Sequence, residues 1–181
     1  MTSINTFIEH APLNSHGFLK GNLQKLYDST YHLGIKDFSL TKFSVNAYSV
    51  NDMIETCDKI DRKLENCSVP KDKRQNFGIA LVEAINNAQE HGCQFGFNKK
   101  VYVHLFNIAC NYFIAGVESK GNPIDISKVR KLLDENQPLQ PGAKRGRGFI
   151  LMKNTVDLLF ISHHKLNTEI FLGIDHSNIK L

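Results

Sequence analysis

The chain has 181 residues, 41% of them hydrophobic and 22% charged, and a formal net charge of +4. That length suits one domain with a sizeable core, and an ordinary charged fraction excludes wholesale disorder. The small positive excess falls short of the concentrated basic face of a nucleic-acid binder, so nucleic acid is not an expected partner.

The N-terminus, MTSINTFIEHAPLNSHG, has no basic stretch followed by an apolar run and does not read as a signal peptide. No apolar stretch approaches the roughly 20 residues of a membrane helix, so no membrane contact is expected. Cysteines stand at 57, 67, 93 and 110, without a CxxC pair or zinc-like spacing to histidines. They read as small buried hydrophobes in a reducing cytoplasm.

Residues 1–38 read as an N-terminal extension, partly helical, since Leu19, Leu23, Leu26, Thr30 and Leu33 recur at helical spacing before Gly34. Residues 39–181 form the main domain. LTKFSVNAYS (40–49) alternates and predicts a strand. Asn51 and Asp52 are candidate caps for an amphipathic helix marked by Met53, Ile54, Cys57, Ile60 and Leu64. Ser68 is the candidate N-cap of the next helix, with Pro70 in its first turn. Phe77, Leu81, Ala84 and Ala88 form the apolar face of that helix and Gly92 ends it. Two strands follow at 101–109 and 112–118, then a short helix at 126–136. A turn-rich loop, QPLQPGAKRGRG, leads into a helix beginning near Phe149, and LLFISHH and TEIFLGI close the chain as a hairpin. Strands and helices mix without strict alternation. The expected class is therefore α+β, with a helical layer on one face of a sheet.

Two features carry chemistry. On the second helix of the domain, Glu83, Asn87 and His91 recur every four residues and so share one stripe beside the apolar face. A carboxylate there can serve as a base, and an amide oxygen suits Mg²⁺ among substrate phosphates. Taken alone, the stripe also fits a solvated helix edge. The second feature is GAKRGRGFILM, in which Gly142, Gly146 and Gly148 precede a helix N-terminus. Glycines let the backbone approach a ligand, and free N–H groups with a positive dipole end attract anions. Lys144, Arg145 and Arg147 add cations. Taken alone, this too fits a solvated loop, and no GK[ST] makes it a P-loop.

In order, these pieces resemble a known family. LVEAINNAQEHG (81–92) resembles the N box of the GHKL ATPases, and its E-A-x-x-N-A-x-x-H pattern is most similar to the anti-sigma serine/threonine kinase group. GRGFILMKNTVD (146–157) resembles that group's second glycine box, and VESKGNPID (117–125) occupies the place of the first. The resemblance spans about residues 40–174. It implies a two-layer α/β sandwich of the Bergerat ATP-binding type, with a mixed, mostly antiparallel sheet and helices on one face.

It further implies ATP and Mg²⁺ as cofactors, with Asn87 as the metal ligand and Glu83 as the general base. Nucleotide contacts would come from Asn87, His91, Ser119, Gly121, Lys144, Arg145, Gly146, Arg147 and Gly148. The implied function is a cytoplasmic homodimer that phosphorylates an anti-anti-sigma (STAS-like) protein and sequesters a sigma factor. The alternative is a catalytically weak or inactive protein-binding module of the same fold.

The sequence departs from the family at Ser119, where the family's adenine-binding aspartate falls. A hydroxyl accepts a hydrogen bond without a carboxylate's charge, a loss of about 1–2 kcal/mol. Glu118 is adjacent, but strand alternation directs it to the other face. All of this requires Asn87 and the glycines at 146 and 148 to converge on one cavity that takes a triphosphate.

Overall fold

The computed structural model describes residues 18–20, 38–108, 112–121, 124–134, 147–164 and 167–176. In chain order these form β1 (Phe18–Lys20), β2 (Phe38–Asn46), α1 (Val50–Asn66), α2 (Lys71–Asn87) with a π-helical turn at Ala88–Gly92, β3 (Lys100–Ile108) and β4 (Tyr112–Lys120). Then come α3 (Ile126–Asp134), α4 (Arg147–Thr155), β5 (Leu158–His164) and β6 (Asn167–Asp175). The expected α+β sandwich is what forms. Most of the extension lies outside the described residues. Its one described piece is β1, so Leu19 belongs to a strand rather than to the expected helix.

The strand order is β1-β5-β6-β4-β3-β2, and among the described residues every pairing is antiparallel, in keeping with the mostly antiparallel sheet expected but without its mixed element. The reason is topological. β4 and β5 run in the same direction, but β6 folds back between them, so parallel strands are never neighbours.

Alternation along the strands sets the core. Val45, Val101, Val103, Leu105, Ala115, Val117, Ile161, Ile170 and Leu172 join one buried cluster with Ile60, Leu64, Phe77, Leu81, Ala84 and Ile85 of α1 and α2 and Phe149 and Met152 of α4. Side chains at i and i+2 on a strand face one way, which is why one sheet face takes the helices.

Two helix ends differ from the sequence expectation. Ser49, not Asn51 or Asp52, caps α1: the Asp52 N–H donates to Ser49 Oγ (3.1 Å). Asp52 instead accepts from Ser49 Oγ (2.7 Å) and from Asn46 Nδ2 (2.6 Å), tying β2 to α1. Ser68 does not cap α2. It takes a left-handed φ of 59° just past the end of α1. Its N–H bonds Glu65 O (2.8 Å), and the Val69 N–H bonds Leu64 O (3.0 Å). That pair of bonds is a Schellman closure, with buried Val69 and Leu64 as its apolar contact. Pro70 is then left as the N-cap of α2, where its missing N–H costs nothing. Arg74 of α2 reaches back to Glu65 (2.8 Å) and Asp61 (3.5 Å) on α1.

Candidate functional site

α2 carries its apolar residues inward on the sheet and turns Glu83 and Asn87 toward α4. The position of α4 follows from its own sequence. Phe149 and Met152, three apart, are buried in the core against α2, and Val156 is buried just beyond. The Lys153 ammonium donates to the Leu133 carbonyl at the end of α3. Together these place the first turn of α4 directly over Glu83 and Asn87.

Gly148 records how close that approach is. A Cβ at 148 would stand 2.7 Å from Glu83 Oε2, 3.1 Å from Asn87 Nδ2 and 3.7 Å from Asn87 Oδ1. A side chain at 148 would have to push the tips of Glu83 and Asn87 aside for the backbone to lie there. The Glu83 carboxylate meets the positive end of α4, an attraction worth about 0.3–1 kcal/mol near a surface. Asn87 Nδ2 is buried, and among the described residues it has no hydrogen-bond partner. Such a buried polar atom is costly unless something else uses it.

The second half of the site begins where α2 loosens into its π turn. The Cys93 N–H donates to the Ala88 carbonyl five residues back (2.8 Å). Turns of this kind are rare and occur often at functional sites. The wider turn carries His91 off the line of Glu83 and Asn87. His91 is exposed, with Glu90 at 4.0 Å its nearest acid, and it lies outside the cleft wall. Gly92 swings inward instead: a Cβ there would be 2.2 Å from Ser119 Oγ. A Cβ on Gly121 would be 1.6 Å from the Gly92 carbonyl oxygen. Gly92 and Gly121 are therefore fitted to each other.

A closed, narrow crevice runs between these parts, lined among the described residues by Asn87, Ala88, Gly92, Val117, Ser119, Ile124, Thr168 and Ile170. The β4–β6 register supplies its floor, since Val117 pairs with Ile170 and Ser119 with Thr168. Of the expected convergence of Asn87 with the glycines at 146 and 148 on one cavity, the approach of Gly148 to Asn87 is seen, and Gly146 lies outside the described residues. A cavity ready for a triphosphate is not: the crevice beside Asn87 leaves no room even for a water molecule, where ordinary ligand pockets hold roughly 300–1,000 Å³. At Asn87, Gly148 lets α4 rest on the Glu83 and Asn87 side chains.

Glu118 points to the opposite sheet face, as alternation requires. It accepts from Asn167 Nδ2 (3.3 Å) and lies 3.4 Å from His104 Nε2. The bond to His104 holds its carboxyl below the usual range, against burial, which raises it. It therefore cannot stand in for a carboxylate at 119. Of the other expected site residues, Arg147 is exposed at the start of α4, and Lys144, Arg145 and Gly146 lie outside the described residues.

Sequence reasoning had not placed Ala88, Gly92, Val117, Ile124, Thr168 and Ile170 on the cleft. Gly92 was read only as a helix stop, and Thr168 becomes a neighbour of Ser119 only through strand register. Gln89 was also missed. It is buried, and its Nε2 donates to the Asn46 (3.1 Å) and Ser49 (3.4 Å) carbonyls, fixing the π turn to the β2–α1 connection.

A carboxamide with a buried unpartnered atom, a carboxylate beside it, and a glycine cradle at a helix N-terminus form a donor set that fits a phosphate-bound divalent cation. A half-turn of the Asn87 amide brings its oxygen to the position now held by Nδ2. Among known proteins, a family model described as a histidine kinase-like ATPase domain matches residues 49–173. No curated protein matches the chain. None of the described helices is long and apolar enough to cross a membrane.

Proposed function

The chain belongs to the histidine kinase-like ATPase family, and from that premise we propose that it is a cytoplasmic protein serine/threonine kinase of the anti-sigma type. It would act as a homodimer that holds a sigma factor and phosphorylates a STAS-like anti-anti-sigma protein. One observation carries the reading: Glu83 and Asn87, on one face of α2, meet the N-terminus of α4 at Gly148.

ATP is the phosphoryl donor. Backbone N–H groups at the start of α4, with Gly146 and Gly148 allowing close approach, donate to its phosphates. Arg147, with Lys144 and Arg145, offsets phosphate charge. The partner's hydroxyl oxygen attacks the γ-phosphorus, the bond to the ADP oxygen breaks, and Glu83 takes the hydroxyl proton. Magnesium, when bound, neutralises charge across the phosphates, and the Asn87 carboxamide oxygen is the residue that would hold it. Ser119 and Gly121 border the base, and His91 stands at the rim. For nucleotide to enter, the first turn of α4 must lift from Glu83 and Asn87.

Titrating the full chain with Mg-ATP should give saturable heat and a rise in melting temperature. Neither effect at millimolar nucleotide would remove the kinase reading. Glu83→Gln should keep nucleotide binding and lose phosphoryl transfer to the STAS-like partner; retained transfer would show that Glu83 is not the base.

A second reading has its own support in the narrow cleft and the hydroxyl at 119: a partner-binding module with weak or absent catalysis. It expects the partner complex to form equally well without nucleotide, and no phosphoprotein with the unaltered chain.

A further inference from the structure

The sheet has a second face, and much of it is apolar. Val101, Val103, Ala115, Val117, Ile170 and Leu172 point to the helices and join their core. The residues between them point the other way. There Phe106, Ile114, Leu158, Phe160 and Phe171 are each no more than 4% exposed. Burial along β4 is unbroken from Tyr112 to Val117. Strands buried on both sides belong to a sheet covered on both faces. Yet none of these five residues joins the core that the helices fill. Strand register sets Phe106, Ile114, Gly173 and Leu158 in one row across the sheet, and His104, Gly116, Phe171 and Phe160 in the next. The row beyond, Tyr102, Glu118, Glu169 and Ser162, is mostly polar. A Cβ on Gly116 would stand 2.8 Å from a Phe171 ring carbon and 3.4 Å from one of Phe106. Gly116 thus accounts for one side of these rings, and the other side needs a cover. The apolar band runs from Leu19 of β1, opposite Phe160, to Leu40 of β2, opposite Phe106. These edge strands run in opposite directions, so the chain leaves β1 and enters β2 at the same end of the sheet, the end where the band lies.

We propose that this band is an intramolecular docking surface and that its occupant is residues 21–37 of the same chain, the segment that joins β1 to β2. Three observations select it. The band is buried within a single chain, so its cover belongs to that chain. Crossing from one edge strand to the other takes about 24 Å at the usual strand spacing. The segment reaches roughly 40 Å with Leu23 to Leu33 helical and extended residues at either end. Its Leu23, Leu26, Tyr27 and Leu33 recur at helical spacing and share one face. Other stretches fit less well. Residues 177–181 are too few to cross the sheet, and 135–146 join α3 to α4 on the helix side. Residues 1–17 lead into β1 from the end of the sheet where the polar row lies. While the segment is docked, the far face is closed to any partner chain, and a dimer contact must lie elsewhere.

The inference stands apart from nucleotide binding, and its test uses the full chain. Phe171→p-azidophenylalanine keeps a ring of nearly the same shape at the middle of the band and captures its neighbours on illumination. Light and heavy isotope-labelled chains are mixed in equal amounts, and cross-linked peptides are read by mass spectrometry. The expected product joins position 171 to a peptide from residues 21–37 carrying the same label. A product with residues 1–17 or 177–181 overturns the choice of occupant. A light–heavy product shows a second copy on the face and overturns it too, as does capture of only the band's own residues or of solvent. Leu26→Asp places no probe in the core and decides the matter if the azide disturbs folding. It should lower the melting temperature by at least about 4 °C and raise binding of the apolar dye ANS. Lys25→Glu, on the opposite side at helical spacing, should change neither. A Leu26→Asp chain as stable as the parent, or a Lys25→Glu chain that loses as much, refutes the docking.

Discussion

Adding one methyl group at Gly148 tests the site at its tightest point. In Gly148→Ala the new Cβ would stand 2.7 Å from Glu83 Oε2 and 3.1 Å from Asn87 Nδ2. An ordinary carbon–oxygen contact starts near 3.3 Å, so the Glu83 carboxylate must retreat by roughly 0.6 Å. Both clashing atoms are tips of flexible side chains, so the fold can yield without moving backbone. The strain is that of side chains pushed off their rotamers, about 0.5–1.5 kcal/mol. Alanine's better helix propensity offsets about 0.5–1 kcal/mol of it. Net stability should change by less than about 1 kcal/mol, and the melting temperature by no more than about 4 °C for a chain of this size. Nucleotide binding should suffer far more, because the methyl occupies the ground between α4 and Asn87 that phosphates would use. Mg-ATP affinity should fall at least about tenfold, and transfer through a displaced Glu83 by about a hundredfold. Calorimetric titration and thermal unfolding on the same preparation read both effects. Unchanged affinity and transfer in a folded Gly148→Ala would refute the claim that this junction is the phosphate site.

Three further outcomes are expected. Gly121→Ala drives a Cβ to 1.6 Å from the Gly92 carbonyl oxygen, so two backbones must part; a loss above about 3 kcal/mol is expected in denaturant unfolding, where a neutral result would show that β4 and the π turn are not locked together. Glu118 has its carboxyl held below its ordinary 4.5 by His104, so it lends stability that is complete above that value and lost as pH falls through the depressed one. Glu118→Gln should therefore be less stable than the parent near neutrality and converge with it at strongly acidic pH, as followed by unfolding midpoints. Burial pushes the Cys57 thiol up to about 11, while Cys67 is exposed; in thiol-alkylation mass spectrometry at pH 8, Cys67 should label first and Cys57 only on unfolding.

The sequence by itself determined the elements that depend on local chemistry. The hydrophobic period of α2, the hairpin at the chain's end, and the order of the two glycine-bearing motifs around β3 and β4 are all written in consecutive residues. Alternation alone sent Glu118 and Ser119 to opposite faces. Other features needed the third dimension. Ser68 reads as a helix cap until α1 closes back on it through Glu65 and Leu64. His91 belongs to the Glu83/Asn87 stripe on an ideal helix, and only the π turn, held by the Cys93-to-Ala88 bond and by Gln89 gripping the β2–α1 connection, rotates it out and brings Gly92 in. Thr168 lies 49 residues from Ser119, and no local pattern joins them; strand register does. Local periodicity fixes which face a residue presents. What that face meets depends on the long-range pairing of strands and on how closely a residue with no side chain lets two helices approach.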